Sequence, residues 1–123
     1  MLLIWIVLNG LFPQTSMSVT KYNGDVIKLR EVAFIQTKSV SDKNSLAYSH
    51  SGKKQTIEIS RLKRINFKDQ LDKKKGVSQW MVILVKESND KLEVQMDLIE
   101  ISGINPEGEV EVISASDINK ITL

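Results

Sequence analysis

The sequence predicts an all-β protein, built as two related small bent antiparallel sheets or partly open barrels in tandem. Three observations carry this reading. No stretch shows an apolar stripe of helical period and ordinary helix length. Apolar and polar residues alternate through much of the chain, as at Ile57 and Ile59 and again at Leu92, Val94, Met96 and Leu98. Finally, a shift of about 56 positions lays the later part of the chain on the earlier part, the mark of an internal repeat.

Under that shift Val26-Ile27-Lys28-Leu29-Arg30-Glu31 falls on Val82-Ile83-Leu84-Val85-Lys86-Glu87 without gaps. Gly52 falls on Gly108, Ile57 on Ile113, Leu62 on Ile118, Ile65 on Ile121 and Phe67 on Leu123. The middles match poorly, with Phe34 on Asp90, so loop lengths or registers are expected to differ there. Chance matching of apolar residues in a β-rich chain is the alternative. The expected organisation is a first unit over 19–67, a polar linker over 68–76 and a second unit over 77–123.

Asn23-Gly24 is a hairpin signal, because both residues tolerate positive φ. Ile27 and Leu29 then point one way, and the apolar phase slips to Val32 and Phe34. Leu46 and Tyr48 mark the next strand, Ser51-Gly52 a turn, and Ile57 and Ile59 one buried face. A short final strand carries Ile65 and Phe67 inward. "FKDQLDKKKG" is a polar joint of at most a turn or two. "WMVILV", apolar on both faces, reads as a central strand. "KLEVQMDLIEI" switches phase between Leu98 and Ile99, as at a bulge or sharp bend. Gly108 turns the chain into Val110 and Val112, which alternate with Glu109 and Glu111, and "INKITL" supplies the last strand.

The first eighteen residues carry no charged side chain and pack Leu2 through Leu8 as one apolar run. That run is shorter than the roughly 20 residues that span a bilayer. It has the size of a secretory h-region, and Ser16-Met17-Ser18 offers small residues ahead of a cleavage before Val19. A signal peptide over 1–18 and a secreted or periplasmic protein are therefore expected, although a basic n-region is missing. The alternative is that Leu2, Ile4, Trp5, Ile6 and Val7 form a buried first strand, these being strand-favouring types.

The chain has 123 residues, 41% of them hydrophobic, enough for one compact core or two very small ones. Without cysteine there is no disulfide framework, no thiol nucleophile and no lipid anchor through a cysteine. The single histidine, His50, sits in the turn-like "YSHSGKK" and is expected to be an ordinary exposed residue.

Units ending in the spacing of Gly52, Ile57, Leu62, Ile65 and Phe67 resemble the small SH3-like or Sm-like β-barrel modules of many secreted bacterial proteins of unknown role. The resemblance extends over most of residues 20–123 and rests on apolar spacing. It implies a small-barrel fold and carries no catalytic residues.

The net charge of +2 hides an imbalance. Residues 53–75 hold nine basic side chains against three acidic, a local +6, and residues 76–123 hold three basic against nine acidic, a local −6. A basic face of Arg61, Lys63, Arg64, Lys73, Lys74 and Lys75 is suited to a polyanion such as nucleic acid, anionic lipid or acidic glycan. An acidic face of Glu93, Asp97, Glu109 and Glu111 makes the molecule self-complementary instead, within one chain or head to tail. Both runs also read simply as solvated charges that keep sheet edges from aggregating.

Carboxylates are the chemistry left to an enzyme. Glu93 and Asp97 share a strand face, but at about 3.3 Å per residue their α-carbons lie roughly 13 Å apart, and a glycosidase pair needs its carboxyls within about 5–9.5 Å. Asp90, Glu93 and Asp97 match no calcium-loop spacing. The expectation is a non-enzymatic binding or assembly module with a protein partner or self-association, polyanion binding as the alternative, and no cofactor, metal or small-molecule substrate.

Overall fold

A computed structural model describes residues 16–36, 45–71 and 79–123. They form ten strands: β1 Ser16–Lys21, β2 Val26–Ile35, β3 Ser45–His50, β4 Lys53–Glu58, β5 Leu62–Leu71, β6 Gln79–Lys86, β7 Lys91–Asp97, β8 Glu100–Ile104, β9 Val110–Ser114 and β10 Ile118–Thr122. Two three-residue 3-10 turns, Ile59–Arg61 and Ala115–Asp117, precede β5 and β10. The all-β expectation holds. Two sheets in tandem do not: all ten strands belong to one antiparallel sheet in the order β4-β3-β7-β6-β5-β10-β1-β2-β8-β9. It curls into a half-barrel around one apolar cluster that gathers side chains from end to end of the sheet, including Leu46, Leu84, Ile65, Ile121, Val19 and Ile101.

The strand order reads the same from both ends once each strand is exchanged for the one five places along the chain. Register obeys the same exchange. Ile65 lies opposite Leu84 as Ile121 lies opposite Val19, and Leu84 opposite Leu92 as Val19 opposite Ile27. The Tyr22 N–H donates to the Asp117 carbonyl as the Glu87 N–H donates to that of Arg61. An approximate two-fold axis therefore passes between β5 and β10, where Ile65 faces Ile121.

Each half of the sheet mixes strands from both expected units. One half is β4-β3-β7-β6-β5, continuous in the chain; the other takes β1 and β2 from the start and β8, β9 and β10 from the end. This corrects part of the expected equivalence. Val26–Glu31 lies in β2 and Val82–Lys86 in β6, which occupy different places in the sheet, and the counterpart of β2 is β7. At other aligned positions Gly52 and Gly108 both have φ near +80° (79° and 83°), and the 3-10 turns follow β4 and β9 alike.

Local predictions meet a mixed outcome. Asn23-Gly24 turns β1 into β2, and Ser51 and Gly52, with φ of 54° and 79°, form the two-residue turn between β3 and β4. The phase slip after Leu29 is a bulge, with Glu31 at φ 53° and the register shifting between Arg30 and Ala33. The phase switch at Leu98 and Ile99 is not a bulge within a strand. It is the crossing from β7 in one half to β8 in the other. The linker expected from residue 68 is also displaced, since Asp69, Gln70 and Leu71 still pair with Met81, Trp80 and Gln79; residues 72–76 lie outside the described residues.

At the other end of the chain, Ser16–Ser18 belong to β1, with Met17 buried and Ser18 opposite both Lys28 and Thr122. Cleavage before Val19 would remove the first three residues of β1. The apolar run over residues 2–8 lies outside the described residues.

Two polar side chains complete backbone pairing inside the sheet. β3 and β7 share a single register pair, Ser49 with Gln95. Gln36 fills the gap beside it: its Nε2 donates to the carbonyls of Ala47 and Asp97 at 2.9 and 2.8 Å, and its Oε1 accepts from the Ala47 N–H at 3.2 Å. Because Gln36 directly follows β2, this amide ties one half of the sheet to the other. Trp80, buried on β6, donates from Nε1 to the Leu98 carbonyl and meets Phe67 edge to face at 5.8 Å.

Candidate functional site

An open sheet leaves two edge strands whose outer backbone groups have no sheet partner. Among the described residues these are β4 and β9, equivalent under the two-fold axis. Their sequences differ in character. Counting from Gly52 and from Gly108, Lys53 corresponds to Glu109, Lys54 to Val110, Gln55 to Glu111, Thr56 to Val112 and Ile57 to Ile113. The isoleucines point into the core, 9% and 3% exposed. The alternation of a strand then puts Lys54 and Thr56 on the outer face of β4, and Val110 and Val112 on the outer face of β9.

Val110 is 74% exposed, the highest of the large apolar side chains on the described strands, and Val112 is 58% exposed, as is Val26 on β2. The cross-strand neighbours of Val110 and Val112 are Ile104 and Ser102, and beyond these on β2 lie Arg30 and Ala33. The β9 edge is therefore apolar on its outer face and acidic along the other, where Glu111 also accepts from Asn105 Nδ2 at 3.0 Å. The β4 edge is exposed at every position except Ile57 and carries charge at Lys53, Lys54 and Glu58.

The charged residues expected to form two faces are dispersed. Arg61 ends a 3-10 turn, while Lys63 and Arg64 lie in a bulge of β5 at the middle of the sheet. Lys73, Lys74 and Lys75 lie outside the described residues. Glu93 and Asp97 stand on β7 in one half, and Glu109 and Glu111 at the far edge of the other, so the four carboxylates do not share a surface. Sequence also places Glu93 and Lys68 in opposing runs, whereas the structure joins them: Lys68 Nζ reaches Glu93 Oε1 at 2.6 Å.

That hydrogen bond, with the charge behind it, raises the Lys68 ammonium above the ordinary lysine range. A raised lysine stabilises the fold at pH below its unfolded value and loses that contribution as pH climbs through the folded value. The pair is solvent-exposed, so its effect on stability is small. The expected result is a Lys68 titration, followed by the NMR shift of its Cε, that falls back to the ordinary lysine range in Glu93→Gln; an unchanged titration contradicts the pairing.

Sequence reasoning passes over a row of outer-face positions. The register sets Lys28, Ser18, Thr122, Arg64, Val85 and Lys91 side by side across β2, β1, β10, β5, β6 and β7. Arg64 Nε is buried there with no hydrogen-bond partner. An open cleft of about 240 Å³ lies among β3, β4, β6 and β7, lined by Gln36, Tyr48, Lys54, Gln79, Gln95 and Asp97 among others. Among the described residues its lining holds one carboxylate, Asp97, and one lysine, Lys54. Among the described residues, no three His, Cys, Asp or Glu side chains are grouped to hold a metal ion, and no helix is long and apolar enough to cross a membrane.

Comparison with known proteins finds no family model that matches the chain and no matching curated relative. Geometry alone carries the functional reading.

Proposed function

We propose that the chain is a non-enzymatic β-module that binds protein by strand addition at its edges, self-association included, and that it works outside the cytoplasm. The observation that carries this reading is the β9 edge, which ends the sheet among the described residues and where Val110 and Val112 stand exposed. Added strands gain affinity from the main-chain ladder and specificity from alternate side chains. Natural proteins usually blunt such an edge with charge, as β4 does and the outer face of β9 does not. The equivalence of the two halves supports an internal duplication. The expected result is a sedimentation-derived mass that rises above 13.9 kDa as concentration is taken from about 1 μM to about 1 mM. A constant monomer mass across that range removes self-association from the reading.

The second reading, polyanion binding, is favoured by the unpartnered Arg64 Nε within the Lys28–Lys91 row. Its signature is retention on immobilised heparin that collapses between low and high salt. Lack of retention at low salt eliminates it.

A further inference from the structure

Resting on the strand-addition reading, we propose that the occupant of the β9 edge is the β4 edge of a second copy, so that sheets join head to tail. Charge disfavours the isologous pairings that bring like residues together: β9 against β9 can gather Glu109 and Glu111 of both copies, and β4 against β4 can gather Lys53 and Lys54 of both; like charges on neighbouring strands are destabilising. β4 against β9 brings the strand that carries two lysines, with Glu58 at its end, to the strand flanked by Glu109 and holding Glu111.

Strand direction agrees. Every neighbouring pair in the ten-stranded sheet is antiparallel, so the two end strands run in opposite directions. A second copy in the same orientation therefore meets the first with an antiparallel edge and continues the ladder. Opposing Lys54 to Val112 and Thr56 to Val110 keeps the outer faces of both copies on one side. The same register opposes Gln55 to Glu111 and leaves Lys53 diagonal to Glu111, within reach of a long side chain. The methylene stem of Lys54 then covers the exposed Val112 while its ammonium stays in water. This interface is heterologous, and it closes into a ring or extends as an open chain according to the curvature of the half-barrel.

The test uses two variants of the full chain. Val112→Lys spoils the β9 edge, and Lys53→Glu with Lys54→Glu spoils the β4 edge; all three positions are exposed, which spares the core. Each variant alone is expected to associate at least about tenfold more weakly than the native chain in sedimentation. Mixed together, they are expected to form a heterodimer, because one intact β4 edge and one intact β9 edge remain. Full association by the lysine variant alone would mean β9 pairing with β9 and overturns the proposal. Full association by Val112→Lys overturns it too, while leaving self-association through another surface intact. A native chain that stays monomeric sinks the self-association reading itself. Circular dichroism of each variant, unchanged from native, separates lost association from lost folding.

Discussion

Ile65→Ala and Ile121→Ala are each expected to lower stability by about 2–5 kcal/mol, read from urea midpoints at unchanged slope. Both side chains are fully buried, at 0% exposure, and they face each other where the two halves of the sheet meet. Each truncation removes methyl groups and leaves a cavity that a seam of paired strands can close only in part. A loss of this size is a large fraction of the roughly 5–15 kcal/mol available to a small domain. Directly opposed residues are coupled, so the double variant is expected to differ from the sum of the singles by about 0.5–3 kcal/mol. Because one apolar cluster runs through both halves, hydrogen exchange is expected to show β2 and β7 losing protection together. Two separated unfolding steps, one for each half, contradict a shared core.

What sequence could and could not convey follows from the same geometry. Turn chemistry is local: Asn23-Gly24 and Ser51-Gly52 are legible because each turn places a glycine at positive φ, Gly24 at 94° and Gly52 at 79°. The β2 bulge is legible too, since an extra residue flips the apolar phase between Leu29 and Val32. Partnership between strands is not local. An alternation of period two looks the same after any even shift, so Val82–Lys86 matches Val26–Arg30 in pattern although the two segments sit at different places in the sheet. The exchange of strands between the halves is hidden for that reason. Gln36 gives no warning, being one amide after a run of ordinary strand residues. The exposed valines of β9 did leave a trace. Ile113 aligns with the inward Ile57, which already puts Val112 on the opposite face. For the charged runs, net charge along the chain averages over residues that the sheet then separates by several strands, as with Glu93 and Glu111.

Gly103→Ala is expected to cost about 1–3 kcal/mol through overpacking, although it adds a single methyl group. A β-carbon built there lies 2.9 Å from the Leu29 β-carbon, 3.0 Å from the Arg30 carbonyl oxygen and 3.3 Å from Val32 Cγ2. Two of these neighbours are fixed by the backbone, so rotamer changes cannot relieve the clash, and adding Val32→Ala is not expected to restore stability. The cause is the β2 bulge, which shifts register between Arg30 and Ala33 just where Gly103 packs. In the other half of the sheet the equivalent position holds Tyr48, two residues along β3 from Leu46, opposite Gln55 and bonded to it through its hydroxyl at 3.0 Å. Equivalent places thus hold a bulky aromatic residue and the smallest residue: β2 is bulged where it pairs with β8, whereas β7 meets β3 at the single pair Ser49 with Gln95. Gly52→Ala is the control: nothing lies within 4 Å of its added β-carbon, and its φ of +79° alone exacts a strain of about 1–2 kcal/mol. A Gly103→Ala midpoint within about 0.5 kcal/mol of native would show that β2 can withdraw freely, and that the bulge does not dictate the glycine.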